Sequence, residues 1–142
     1  YKIELEKFSP NTTVIQHACP MWVPLIESNQ HQTDIGKKLI ESDIRELLAK
    51  SPAIDTVLLA CTHYPLVIDE VKKIVVKKIT VVSQGPIVAA KLNDYLARNQ
   101  FMRSQLSEGG SCTFLTTENE IVFNASATQF LEMAISAEQI RL

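Results

Sequence analysis

The chain has 142 residues, 46% of them hydrophobic and 21% charged. That is enough for one compact domain or two small lobes with a real core, and too apolar for a disordered chain. With 14 basic and 16 acidic residues the net charge is −2, so nothing in the balance pulls the chain toward nucleic acid or an anionic membrane surface.

Asn11–Gln16 has the β-branched enrichment of a short strand, which stops before Pro20. Met21–Ser28 is a short apolar run broken by Pro24, and the polar stretch 29–34 reads as a loop. A helix is predicted over Gly36–Lys50, with Ile40, Ile44, Leu47 and Leu48 on one stripe and Ser51-Pro52 ending it. Ile54–Ala60 is nearly uninterrupted apolar sequence, as in a parallel strand covered on both faces. Pro65 then opens a second helix, with Leu66, Val67, Val71, Ile74 and Val75 facing inward. Ile79–Val82 reads as a strand, Ser83–Pro86 as a turn, and 86–99 as a third helix. The linker-like 107–111 precedes a strand at Cys112–Thr116 and a final helix at Thr128–Ala137, with Phe130, Leu131, Ala134 and Ile135 inward.

This alternation predicts an α/β three-layer sandwich with a mostly parallel sheet. In such sheets functional groups collect at the carboxyl ends of strands. Cys61, Thr62 and His63 lie at one such end, and His17 and Cys19 at another.

The glycines are only four, Gly36, Gly85, Gly109 and Gly110, which excludes a GxGxxG or Walker A loop within this chain. The three cysteines, Cys19, Cys61 and Cys112, form no CxxC pair, and a reducing, cytoplasmic compartment suits them better than a disulfide framework. No apolar run reaches the roughly 18–20 residues of a membrane helix. The first residues lack a signal-peptide h-region and an initiator Met, as expected of a processed product or part of something longer.

Ala60-Cys-Thr-His-Tyr-Pro65 is the sharpest chemical feature. A thiol and an imidazole lie two residues apart, just before an expected helix start whose amides favour an anion. That pair suits a thiolate base or nucleophile with His63 as proton partner. The bland alternative is a small buried cysteine ending a core strand beside a satisfied histidine. Zinc is a weak reading, since C-x-H supplies two ligands and needs His17 and Cys19 to complete four. In Ala18–Glu27, two prolines and Trp22 imply a fixed loop, and Glu27 is either a partly desolvated carboxylate or a surface residue ending a short helix. Cys112 reads as core and His31 as solvated. Ser83–Pro86 is either an anion-binding turn or a plain helix cap.

At Cys61–Pro65 and Ala18–Glu27 the sequence resembles glutamate racemase, of the aspartate/glutamate racemase family. The family carries G-C-T-H-Y-P, here A-C-T-H-Y-P, and an A-C-P-x-aromatic-V-P-L-x-E segment followed almost throughout by Ala18–Glu27. Val82–Ala90 is similar to the family's I-D-S-G-x-x-V-A turn, with Ser83 where Asp is common. The resemblance implies cofactor-independent interconversion of L- and D-glutamate for bacterial peptidoglycan, with two cysteines on opposite faces of the substrate α-carbon. It implies that Cys61 serves one face, His63 assists it, Thr62 helps hold substrate polar groups, and Glu27 supports the site. The family's D-S-G-x-G-G and A-C-N-T motifs, the latter holding the opposite cysteine, do not occur, and Cys19 is not assigned that role. The chain therefore looks like roughly the C-terminal half of a racemase. Residues 1–90 would be most of the central lobe, and 91–142 the C-terminal part of the other lobe. Isolated, it should be inactive or very weak. The expected partner is a small-molecule substrate, glutamate, with no cofactor, metal, nucleic acid or membrane. A symmetric homodimer is the other way to supply two thiols. The alternatives are a racemase acting on aspartate and a folded, non-catalytic fragment that completes another chain.

Overall fold

The computed structural model describes residues 1–141, with nothing of the side chain of Gln129. The chain divides into two compact units, Tyr1–Gly85 and a second from Pro86 onward. Both are α/β, and both pair their strands in parallel, as the alternation of elements leads one to expect.

The first unit contains helices α1 (Lys2–Phe8), α2 (Trp22–Glu27), α3 (Asp34–Ala49) and α4 (Ile68–Ile74), with strands β1 (Thr56–Leu59) and β2 (Thr80–Ser83). β1 and β2 pair from Thr56↔Thr80 to Leu59↔Ser83. Parallel strands need a long crossover, and here it runs through a 3₁₀ turn, Tyr64–Val67, and α4. Trp22 and Ile26 of α2, Ile40 and Ile44 of α3, Val57 and Leu59 of β1, and Val67 and Val71 form the buried core.

α3 follows its sequence pattern. Thr33 caps it by accepting from the Gly36 N–H at 3.1 Å. Ile40 and Ile44 are buried, and Leu47 and Leu48 are half-buried. Gly36 has a packing role, because the 30–31 backbone passes so close that a Cβ would collide with the Gln30 carbonyl oxygen. That close approach folds the loop under the helix and buries His31 to 7% exposure. His31 is therefore not the solvated loop residue its polar neighbours suggested. Its Nδ1 has no hydrogen-bond partner among the described residues, and burial lowers its pKa by penalising the charged form.

Other expectations are corrected. Asn11–Gln16 forms no strand and enters neither ladder. The helix expected to start at Pro65 opens as a 3₁₀ turn, which leaves Leu66 exposed on its outer side. β2 passes directly into α5 (Gln84–Arg98), without the expected turn at Ser83–Pro86.

In the second unit α5 is followed by α6 (Gln100–Ser104), β3 (Phe114–Thr116), α7 (Glu120–Leu131) and β4 (Ala137–Gln139). β3 and β4 pair in parallel from Phe114↔Ala137 to Thr116↔Gln139. The final helix lies earlier than expected. Asn119 starts it by accepting from the Ile121 and Val122 N–H groups, and Glu132 ends it in the left-handed region. Ala137, expected in the helix, begins β4, and Leu131 and Ala134 are exposed while Ile135 is buried beyond the helix end. Cys112, expected in the core, is exposed, because the strand starts two residues later. α5 buries none of its residues, and Ile87, Val88, Leu92 and Tyr95 stay exposed. No helix among the described residues is long and apolar enough to cross a membrane.

Gly36→Ala is expected to destabilise the chain by about 1–3 kcal/mol through overpacking, although alanine is the better helix former by about 1 kcal/mol. Urea denaturation checks this. An unchanged or raised midpoint contradicts the close packing at Gly36.

Candidate active site

The candidate site is built on the crossover that leaves β1. β1 ends at Leu59, and Cys61, Thr62 and His63 follow at its carboxyl end. The local fold is held by Tyr64, whose hydroxyl donates to the Cys19 carbonyl at 3.1 Å. The Tyr64 ring also packs on Trp22, with centroids 4.8 Å apart and tilted planes. This contact docks Cys61–Pro65 against Ala18–Glu27, two segments the sequence singled out separately.

α2 then delivers Glu27. Its Oε1 lies 3.1 Å from His63 Nε2, although the residues are 36 positions apart in sequence. On the other ring edge, His63 Nδ1 lies 4.0 Å from Cys61 Sγ and 3.5 Å from Thr62 Oγ1. The result is a carboxylate–imidazole–thiol row. With Nε2–H donating to the carboxylate, neutral His63 keeps Nδ1 as an acceptor facing the thiol. Cys61 is half-buried, His63 retains 31% side-chain exposure and Glu27 59%, so a small polar molecule can reach the row. The expected α-helical start is a single 3₁₀ turn followed by a seven-residue helix. The α-helical start expected just after Cys61 is therefore not formed there.

A second cluster lies beside it. Asp43 on α3 accepts from Trp22 Nε1 at 2.6 Å and lies 3.2 Å from His17 Nε2. Cys19 completes the group. Asp43 was missed by reading the sequence for chemistry. The signal was present, since Asp43 falls on the same helical stripe as Ile40, Ile44 and Leu47. A carboxylate on an apolar stripe needs a partner. His17, Cys19, Cys61 and His63 do not come together as four metal ligands. The group of potential ligands found among the described residues is His17, Cys19 and Asp43.

Cys19 and Cys61 differ in environment. Burial, and then the carboxylates of Asp43 and Glu46, push the Cys19 thiol up to about 12, against a small opposing effect of Lys50. Folded Cys19 keeps its proton above the ordinary 9.0 at which the unfolded thiol loses it. The unfolded chain then binds fewer protons, so stability falls as pH rises from 9.0 toward about 12. Cys19→Ser should flatten that part of the stability–pH curve. Denaturation series across this range check it, and an unchanged slope refutes Cys19 as its source.

No protein-family profile matches the chain. Individual proteins do. A glutamate racemase of Streptococcus suis is 30% identical over 142 residues, covering 100% of this chain and 53% of the relative. A glutamate racemase of a Carnobacterium species is 31% identical over 146 aligned positions, with the same coverage. The chain spans about half the length of the curated relatives it matches. Among solved structures, a glutamate racemase of Bacillus anthracis superposes with a TM-score of 0.84 at 26% identity, over 100% of this chain and 52% of that one. One from Francisella tularensis shares the fold, with a TM-score of 0.78 at 21% identity over 99% and 52%. Over its whole length, the chain is similar to about half the length of these glutamate racemases.

Proposed function

We propose that this chain carries one side of a cofactor-independent glutamate racemase, with Cys61 as the acid–base group for one face of the substrate α-carbon. The observation that carries the reading is the Glu27–His63–Cys61 row, with contacts of 3.1 Å and 4.0 Å. The racemase names of the relatives, and the D-glutamate bound in the Francisella tularensis enzyme, support glutamate as substrate.

The chemistry follows from the row. An amino-acid α-proton is weakly acidic, so its removal needs a positioned base and donors to the carboxylate where charge builds. His63 Nδ1 takes the thiol proton, and Glu27 stabilises the imidazolium through Nε2–H. The Cys61 thiolate then removes the α-proton, and the electron pair delocalises into the substrate carboxylate. A thiol on the opposite face returns a proton to the carbanion and inverts the centre. In the reverse direction Cys61 donates. Thr62 offers its hydroxyl to the substrate's polar groups. The opposite thiol would, on this reading, come from a complementary half. On this reading the chain is the C-terminal half, with residues 1–90 forming most of the central lobe and 91–142 part of the other. The D-glutamate formed would serve bacterial peptidoglycan synthesis in the cytoplasm.

The test is α-proton exchange in D₂O, followed by NMR, with L- and D-glutamate supplied separately. The chain is assayed together with the complementary half of a relative. Cys61→Ser should lower exchange by about a thousandfold, the scale of a lost acid–base group. Equal rates in both proteins refute the role of Cys61. Glu27→Gln removes one charge-assisted hydrogen bond, about 1.5 kcal/mol, and should slow exchange about tenfold. Faster exchange of aspartate than of glutamate in the same assay would move the substrate to the shorter acid.

A further inference from the structure

We propose that His17, Cys19 and Asp43 form a binding site for a single zinc-class divalent cation, one that uses neither Cys61 nor His63. The three residues offer an imidazole nitrogen, a sulfur and a carboxylate oxygen, all within 4.8 Å of one another. That donor set suits a borderline-soft ion such as zinc, whereas magnesium and calcium prefer oxygen throughout.

The spacing is already near what zinc requires. Tetrahedral bonds of about 2.0–2.2 Å to nitrogen and oxygen place those two ligand atoms about 3.3–3.5 Å apart. His17 Nε2 and Asp43 Oδ1 are 3.2 Å apart, so a cation can replace the hydrogen bond between them with little movement. No two of the ligand atoms lie more than 4.8 Å apart, so the Cys19 sulfur, with its longer bond, has at most about an ångström to close. On binding, the thiol proton leaves to solvent and a sulfur–metal bond forms in its place. Thiolate and carboxylate then balance the double positive charge. Three protein ligands leave the fourth position to water or a small ligand.

The surroundings hold the carboxylate in place. Asp43 Oδ2 accepts from Trp22 Nε1 at 2.6 Å, and Trp22 is fully buried. Outer donors of this kind orient ligating carboxylates and leave the other oxygen free for the ion. The side chains of His17 and Asp43 keep 11% and 19% exposure, enough for a cation to enter without unfolding.

The test is titration of the 142-residue chain with zinc chloride by calorimetry, in a Cys61→Ser/Cys112→Ser background that removes the other thiols. Binding of one zinc per chain is expected, with no response to magnesium. Cobalt chloride should give a thiolate-to-metal charge-transfer band. Cys19→Ser should abolish the band, and Asp43→Asn should weaken zinc at least tenfold. Trp22→Phe, which keeps the ring but loses the donor, should weaken it about tenfold. Circular dichroism checks that each variant folds. No zinc binding by the starting protein, or no cobalt–thiolate band, overturns the site without recourse to any ligand variant. Binding unchanged in Cys19→Ser or in Asp43→Asn overturns it as well.

Discussion

The carboxylate of Asp43 is the constraint on which the first unit's functional face depends. It projects from α3 and holds the indole N–H of Trp22 with one oxygen while the other faces His17. An indole N–H buried without a partner costs about 1–3 kcal/mol, so the pairing decides where α2 sits on α3. Trp22 then meets the Tyr64 ring, and Tyr64 reaches back to the Cys19 carbonyl. Through these contacts one polar anchor on a helix fixes both segments that contribute to the Cys61 row. Glu27 is five residues beyond Trp22 on the same short helix, and its position beside His63 follows from the docking of the indole.

The row itself is polar and open, and the core behind it is apolar and closed. Ile26, beside Glu27 in sequence, is fully buried, while Glu27 is largely exposed. A polar contact this exposed contributes little to stability. Its value lies in choosing the ring tautomer of His63, which leaves Nδ1 facing sulfur. The two half-buried cysteines illustrate how surroundings sort chemistry. Burial and two carboxylates hold Cys19 as a neutral thiol near the His17 imidazole, and Cys61 stands beside that of His63.

Much of this was legible in the sequence because local rules governed it. The α3 stripe, the apolar β1 and the Cys61–His63 spacing required only periodicity and turn chemistry. The shared class, α/β with parallel pairing, followed from their alternation. What the sequence hid came from tertiary contact. His31 sits in a polar loop, yet the closeness of the chain to Gly36 buries it. Cys112 has apolar neighbours, but the three-residue β3 begins after it. The last helix begins at Glu120, ahead of the apolar run at Thr128–Ala137, because Asn119 caps it. Asp43 lay in plain view on an apolar stripe, and its partners, 21 and 26 positions away, could not be named from spacing.

The location of Cys61–Tyr64 on the crossover between β1 and β2 bears on how such a site can change over generations. The strands are locked residue for residue from Thr56↔Thr80 to Leu59↔Ser83, and Tyr64 is tied across to Cys19. Added residues between Leu59 and Tyr64 would pull the thiol out of reach of His63 or break that tie. Such a site therefore tolerates exchange of side chains at fixed backbone positions better than insertion. Changes in chain length are better absorbed by exposed connections such as 105–113, where Gly109 and Gly110 already adopt left-handed turns.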